Sequence, residues 1–355
     1  MGEIKQKERN ISFDILRIIS ALSVVVLHVT TKYIMNHEVG SFDFRIANFI
    51  NSISRFGVPV FVMISGAIFL SENKKITVKK LWLHNILRMF ILYWIWSFAY
   101  YVFQSLYFWK FDFWNQGILR TVVGCVYASE HFWFLFMIIG LYALVPLLRT
   151  WVHNANKKEL EYFIILFVFF QIIRTTLTIL IDKSLIQKML NDIQIIELSG
   201  YLGYFILGYY LIKFGLPKII KIIIYCMLPF NVVFNFIISD YMSKLLGAYT
   251  PGIYDSFGIF TFINVIALFV FITDVFKNIK IKEKPQKLIQ SVALDTLGIY
   301  IMHIALLDYI IGESIIVGQF GTFIEIILIS IVCYMVCGLV STILRRIPFV
   351  GRYMC

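Results

Sequence analysis

The chain has 355 residues, of which 60% are hydrophobic and only 15% are charged, and its net charge is +11. Soluble domains carry about 45–50% apolar and about 25% charged residues, so this composition excludes an ordinary soluble domain. The apolar residues form runs of about 20, the length that crosses a bilayer. We therefore expect an all-α, polytopic membrane protein whose residues 1–355 form a single integral membrane domain.

The hydropathy pattern predicts ten membrane-spanning helices. The first has no small-residue cleavage site and is followed by further spans, so we interpret it as a retained helix rather than a signal peptide. The longest connection, 108–130, contains a segment (118–128) that is too short to cross and is expected to be interfacial or re-entrant. The ten spans cover residues 11–33, 47–70, 86–107, 131–150, 160–181, 197–213, 217–239, 255–276, 292–311 and 320–344.

Lysine and arginine are concentrated in the segments that are cytoplasmic if the N-terminus lies inside. Every such segment contributes, which is the asymmetry that the positive-inside rule requires. The charge therefore predicts that both termini are cytoplasmic. Most of the net charge reflects this topology, or a cytoplasmic surface that attracts anionic lipid or a phosphorylated ligand. We expect contact with the lipid bilayer and no nucleic-acid partner, although the same net charge would suggest one in a soluble protein.

Arg17 and His28 lie eleven residues apart in the first predicted helix. This spacing is almost three full turns, so both side chains face the same way, separated along the axis by roughly 16 Å. Ionisable groups inside a bilayer are costly and usually functional, which makes the pair the leading candidate site. Asp14, three residues before Arg17, is placed to pair with it. The alternative is a buried ion pair plus a histidine that hydrogen-bonds to a neighbouring helix.

Further polar side chains occur inside later spans. They could line one outward-facing cavity, or each could make only a local contact between helices. Glu130 and His131 open the fourth span beside Trp133, where aromatic residues are expected from the interfacial belt alone; the two polar groups could instead contact a substrate. The other polar residues inside spans are Arg55, Gln171, Arg174, Tyr300, His303 and Glu325.

Motifs of soluble enzymes are missing from the sequence: there is no P-loop, GxSxG, HExxH or dinucleotide-binding GxGxxG segment. The five cysteines have no metal-ligand spacing, and no histidine pair has it either. We therefore predict no metal.

Five blocks of residues occur in a recognisable order. Together they resemble the acyltransferase-3 family of integral membrane acyltransferases, whose R-x10-H motif Arg17 and His28 match. The match covers essentially the whole chain, and without a fused extracellular domain the chain is similar to the short, stand-alone members that modify surface carbohydrates. The blocks are FDILR (13–17), GVPVFVMISG (57–66), HFWFL (131–135) with Tyr142 and Pro146, LGIYIMH (297–303) and RIPFVGR (346–352).

The resemblance implies transfer of an acyl group, usually acetyl, from cytoplasmic acyl-CoA to a hydroxyl acceptor, often a glycan outside. One position departs from the family pattern, because members often carry two arginines three apart at the start of the third span. Here Asn85 stands at the first of these positions and only Arg88 matches, so His84 and the lysine pair at 79–80 are possible substitutes. The residues assigned to acyl-CoA are Arg17, Ser65, Lys79, Lys80 and Arg88.

On this interpretation His28 acts as general base on the acceptor hydroxyl, or as a transient acyl carrier. Glu325 is expected to orient its imidazole, and Arg55 or Arg174 to stabilise the oxyanion. Acetyl-CoA is the expected donor, and no metal takes part. The remaining residues assigned to the acceptor side are Glu130, His131, Trp133, Tyr300 and His303.

The main alternative is a transporter or exporter of a polysaccharide or small polar solute. Proline and glycine within helices and buried charges also suit a carrier, and inverted repeats would favour it, but none is evident in the sequence. The abundance of Ile, Phe, Lys, Asn and Tyr fits an AT-rich bacterial genome. We therefore expect a multi-pass protein of a bacterial cytoplasmic membrane.

Overall fold

The computed structural model describes residues 10–106, 118–126, 129–180, 196–251, 255–277, 279, 281–312, 317–348 and 351. Within these residues the chain is helical and contains no strand. Nine of the described helices are long and apolar enough to cross a membrane. The expected all-α, polytopic membrane fold is therefore confirmed.

The helices are numbered here in chain order. All of them except α4 and α7 are candidate membrane spans. They are α1 (Ile11–Asn36), α2 (Phe42–Phe69), α3 (Val78–Gln104), α4 (Ile118–Val126), α5 (Glu130–Asn154), α6 (Lys157–Leu177), α7 (Ile196–Phe214), α8 (Lys218–Leu246), α9 (Ile259–Phe276), α10 (Glu283–Gly312) and α11 (Thr322–Arg346).

The sixth predicted span, residues 197–213, corresponds to α7, which is not among the nine. Gly200 has non-helical dihedral angles there (φ −25°, ψ −123°), so the chain bends within the first turns of the helix. The regular part from Tyr201 to Phe214 is about 21 Å long, which is less than the roughly 30 Å of a hydrocarbon core. The described residues thus contain nine candidate spans and one shorter helix where the sequence predicted ten spans.

Several helices begin earlier than hydropathy alone predicted, because their first turns are polar and capped. Ser41 accepts a hydrogen bond from the N–H of Phe44, and Thr77 accepts one from the N–H of Lys80. Side-chain caps of this kind satisfy N–H groups that have no partner within the helix. The first turns of α2 and α3 therefore extend the helices beyond their apolar segments.

Two helices change their geometry near predicted site residues. A short 3₁₀ turn, Ser54–Phe56, interrupts α2 at Arg55. A π-helical turn, Leu81–Ile86, ends just before Arg88 in α3. Such irregular turns re-aim the side chains beside them and often occur at functional sites. The irregularities thus help to set the directions of both arginines.

Helix α1 lies at the centre of the described helices and contacts α2, α9, α10 and α11. Helix α7 in turn packs closely along α2. A Cβ atom added at Gly66 would lie 1.7 Å from the carbonyl oxygen of Phe205, and one at Gly208 would lie 2.1 Å from that of Met63. Glycine is required at both positions because the two backbones touch, as is common between helices in membranes. This packing fixes α2, which carries both Ser65 and Arg55.

The end of α2 is held by two side chains of α5. Arg149 Nη1 donates to the carbonyl oxygens of Phe69 and Ser71, each at 2.8 Å. His153 Nε2 lies 2.8 Å from the carbonyl oxygen of Leu70. These carbonyls lie at the last residue of α2 and in the two residues that follow it, where the regular hydrogen bonding of the helix ends. The polar groups of α5 at this end therefore fix the position of α2 and are fully explained by the fold.

Candidate active site

The site is organised by α1, which runs without interruption from Ile11 to Asn36. Because the helix is continuous, the predicted spacing of Arg17 and His28 holds: same face, roughly 16 Å apart along the axis. Between the two positions α2 approaches α1 closely, since a Cβ atom at Gly57 would lie 2.8 Å from the carbonyl oxygen of Ser20. Arg17 and His28 each belong to a separate group of polar side chains.

The arginine cluster consists of Asp14, Arg17, Ser65, Arg88 and Tyr142. Arg17 Nη1 lies 3.0 Å from Asp14 Oδ1, as the sequence predicted, and the Asp14 side chain is fully buried. The Tyr142 hydroxyl forms a hydrogen bond with Ser65 and interacts electrostatically with both Arg17 and Arg88. Four helices thus bring three of the predicted acyl-CoA residues together around one tyrosine.

The remaining cations assigned to acyl-CoA lie on the surface. Lys79 and Lys80 are exposed in the first turn of α3, and His84 is exposed one turn later. Arg88 follows Lys80 by eight residues, roughly 12 Å along a helix. Positive charge therefore extends from the arginine cluster along α3 to the exposed end of the helix.

The histidine cluster consists of His28, His131 and His303 with Tyr100 and Tyr300. The ring centroids of His28 and His303 are 5.0 Å apart, and those of His131 and His303 are 5.3 Å apart. His131 and His303 are buried, whereas His28 is partly accessible. The sequence named all three histidines but did not predict that α1, α5 and α10 bring their rings together.

Backbone carbonyl groups fix two of these rings. His131 Nε2 lies 3.1 Å from the carbonyl oxygen of Ile301, and its Nδ1 contacts the hydroxyl of Ser129. His303 Nδ1 lies 2.6 Å from the carbonyl oxygen of Tyr300. Because a carbonyl oxygen can only accept, the nitrogen that faces it carries the proton. The tautomers of His131 and His303 are therefore set by the backbone of α10.

Tyr100 of α3 holds the same part of α10. Its hydroxyl donates to the carbonyl oxygen of Ile301 at 2.7 Å and accepts from the N–H of Ala305 at 3.1 Å. Ile301 and Ala305 are the i, i+4 pair on either side of His303, so one hydroxyl bridges the turn that carries this histidine. The Tyr300 hydroxyl also donates to the carbonyl oxygen of His131, which links α10 to α5.

Two cations act on His28. Lys32, one turn further along α1, forms an ion pair with Asp308 of α10. Arg55 donates from Nε to Asn51 Oδ1 at 2.9 Å and from Nη2 to the hydroxyl of Tyr249 at 2.8 Å. Both Lys32 and Arg55 interact electrostatically with His28. A positive field beside an imidazole is the arrangement that stabilises a developing oxyanion.

Asn51 ties Arg55 to the helix that carries His28. Its Nδ2 donates to the carbonyl oxygen of Leu27 at 3.2 Å and to the hydroxyls of Thr30 and Thr31 at 2.8 and 3.2 Å. Asn51 is itself buried. The head group of Arg55 is therefore positioned relative to α1 by a chain of hydrogen bonds.

The aromatic residues at the start of α5 extend the cluster outward. Trp133 is exposed, and its ring packs on Tyr201 of α7 with the ring centroids 5.5 Å apart. Tyr201 interacts electrostatically with Arg55 and with Tyr300. Trp133 thus lies at the exposed rim of the histidine cluster, and its role with the acceptor stays a prediction.

Three further predicted residues, Glu325, Glu130 and Arg174, are not members of either cluster. Glu325 Oε2 accepts a hydrogen bond from Tyr33 at 2.7 Å, and Oε1 accepts one from the N–H of Phe320 at 3.0 Å. Its carboxylate therefore holds the turn before α11 and does not make the expected contact with His28. Glu130 is exposed in the first turn of α5. Arg174 is partly buried, directly after a π-helical turn in α6, and its role stays a prediction.

Five residues that the structure places at the site received no role in the sequence analysis: Tyr100, Tyr142, Lys32, Asn51 and Asp308. Tyr142 belongs to one of the family blocks, so that block was a usable signal. The others resemble ordinary residues of helix ends and interfaces. Within the described residues no group of three or more His, Cys, Asp or Glu side chains is arranged to hold a metal ion.

Comparison with known families identifies the chain. Residues 10–344 match the acyltransferase-3 family model, which is described as an acyltransferase domain. Neither a curated protein nor a solved structure gives a significant match. The family match covers almost the whole chain and includes every residue of both clusters. The chain therefore belongs to the acyltransferase-3 family and is a membrane acyltransferase.

Proposed function

We propose that the protein transfers an acyl group, acetyl in the first instance, from cytoplasmic acyl-CoA to a hydroxyl of a surface glycan. In this proposal it works in a bacterial cytoplasmic membrane with both termini inside. The observation that carries the proposal is that α1 places two different ionisable side chains in two separate polar clusters. One continuous helix delivers Arg17 to the arginine cluster and His28 to the histidine cluster, and the family supplies the reaction class.

The arginine cluster is the donor end. Arg17 and Arg88 attract the anionic part of acyl-CoA through their positive charge. Lys79 and Lys80 extend the field to the surface. Ser65 and the Tyr142 hydroxyl supply polar contacts beside the arginines. The pantetheine arm then lies along α1 and presents its thioester to His28.

The histidine cluster is the transfer end. His28 takes the proton of the acceptor hydroxyl as that oxygen attacks the thioester carbonyl carbon. The carbon–sulfur bond breaks, and the thiolate of CoA receives the proton that His28 had taken. Arg55 and Lys32 stabilise the negative charge on the carbonyl oxygen in between. Trp133 contacts the acceptor at the rim, and the buried Tyr300 holds α10 against α5.

The test is an assay of purified protein with acetyl-CoA that is labelled in the acetyl group. We expect thioester cleavage, and transfer of label to an added oligosaccharide that carries free hydroxyls. A hydroxylamine-sensitive label on the protein itself would show the acyl-histidine route instead of direct transfer. Absence of thioester cleavage, together with CoA-independent solute flux in proteoliposomes, would overturn the proposal in favour of a carrier.

A further inference from the structure

His303 carries a buried hydrogen-bond acceptor that the reaction described above does not use. Its Nδ1 faces the carbonyl oxygen of Tyr300 at 2.6 Å and so carries the proton. Nε2 is then a lone-pair acceptor. It is buried and has no hydrogen-bond partner among the described residues. A buried acceptor without a donor is destabilising, so a donor that comes within reach during function is expected.

Among the described side chains whose rings contact His303, one remains as a candidate for that donor. Both ring nitrogens of His131 are already engaged, with Ile301 and Ser129. The Tyr300 hydroxyl donates to the carbonyl oxygen of His131. The thiol of Cys333 lies 3.6 Å from the carbonyl oxygen of His303 itself. What remains is the ring of His28.

The separation of the two rings suits this pairing. Their centroids are 5.0 Å apart, and a hydrogen bond between nitrogens of about 2.9 Å spans the gap between two imidazole edges at that separation. The ion pair between Lys32 and Asp308 joins the same two helices one turn further along. It keeps α1 and α10 in the register that brings the rings together.

We propose that His303 is a positioning residue whose Nε2 accepts a hydrogen bond from His28. This bond selects the tautomer of His28 whose second nitrogen is bare and faces the acceptor hydroxyl, as a carboxylate does for the histidine of a hydrolase triad. The inference rests on the proposed function, in which His28 is the base. His303 touches neither substrate and acts only through His28.

The contacts around His303 hold its ring in one orientation. Its ring is held from Nδ1 by the backbone of its own helix, and that turn is bridged by the Tyr100 hydroxyl between Ile301 and Ala305. The side chain is completely buried. The direction of Nε2 is therefore fixed before any substrate arrives, which is what a group that orients a base requires.

Two substitutions separate this role from a merely structural one. In His303→Asn the amide nitrogen can replace Nδ1 and keep the bond to Tyr300, but nothing stands at the position of Nε2. In His303→Gln the terminal amide reaches the position of Nε2 and its oxygen can accept from His28. We expect His303→Asn to lower kcat about 100-fold with KM for acetyl-CoA unchanged, and His303→Gln to recover at least a tenth of the wild-type kcat.

The opposite order, an active Asn variant and an impaired Gln variant, would show that the ring only supports α10 and would overturn the inference. Wild-type rates in both His303 variants would also overturn the inference. Parallel assays of the wild type and His28→Ala distinguish a failure of this inference from a failure of the proposed function. A wild type that cleaves no acyl-CoA refutes the proposed function itself. If the His303 variants fail to fold, nitrogen NMR of ¹⁵N-histidine-labelled wild type decides, with the signal assigned through His28→Gln. A single tautomer of His28 supports the inference and an exchanging mixture overturns it.

Discussion

The two ends of α1 hold their polar groups in different ways. In the arginine cluster the cations are partly exposed and act on Tyr142 through space. In the histidine cluster, rings and hydroxyls are tied to named backbone carbonyls at hydrogen-bond distance. Charge attracts an anion over several ångströms, whereas proton transfer needs a nitrogen within hydrogen-bond reach. We infer that the arginine cluster acts through electrostatic attraction over a distance. The histidine cluster acts through side chains that hydrogen bonds hold in fixed positions.

The largest expected effect is that of removing the base. His28→Ala should lower kcat for acyl transfer by about 10²–10⁴-fold, the usual contribution of a general base, without lowering the yield of folded protein. His37→Ala, a histidine that follows the last residue of the same helix, is the matched control and should keep wild-type kcat. The measurement is label transfer from acetyl-CoA by both purified variants. A His28→Ala enzyme with full activity would remove the histidine cluster from the mechanism.

An arginine-to-lysine exchange beside each cluster compares electrostatic attraction with fixed hydrogen-bond geometry directly. Arg55→Lys should lower kcat about tenfold, because lysine cannot make the forked contacts to Asn51 and Tyr249. Arg88→Lys keeps the charge and should change KM for acetyl-CoA by less than about threefold, since a charge interaction at a partly exposed site is a small effect. Steady-state kinetics of both variants in one detergent gives the comparison. Equal losses of kcat/KM in the two variants would contradict the proposed difference between the two clusters.

Helical geometry alone predicted the part of the arginine cluster that lies on α1. The spacing of Asp14, Arg17 and His28 is a property of one helix, so helical geometry was sufficient to place them. The apolar runs likewise predicted the spans, because length and hydropathy are local. α7 departed from that prediction because the chain bends at Gly200, which leaves a regular helix shorter than the hydrocarbon core.

Sequence could not predict how the histidine cluster is assembled. His131 and His303 lie far from His28 in the chain, and only the packing of α1 against α10 decides that the rings meet. A tyrosine such as Tyr100 in an apolar helix resembles an ordinary interface residue. Glu325 was placed correctly in α11, but its partners are set by the turn that precedes the helix.

The smallest expected effect comes from removing one hydroxyl at each end. Tyr100→Phe leaves the carbonyl of Ile301 with one donor fewer and the N–H of Ala305 with one acceptor fewer, so the turn that carries His303 loosens. Since a lost hydrogen bond costs about 0.5–1.5 kcal/mol, kcat should fall several-fold while KM for acetyl-CoA stays unchanged. Tyr142→Phe loses the bond to Ser65 beside the donor and should raise KM several-fold at constant kcat. Each variant is the control for the other, because both remove one buried hydroxyl from the membrane domain. If both variants changed the same kinetic constant, the two clusters would be one site, and α1 would not separate donor binding from transfer.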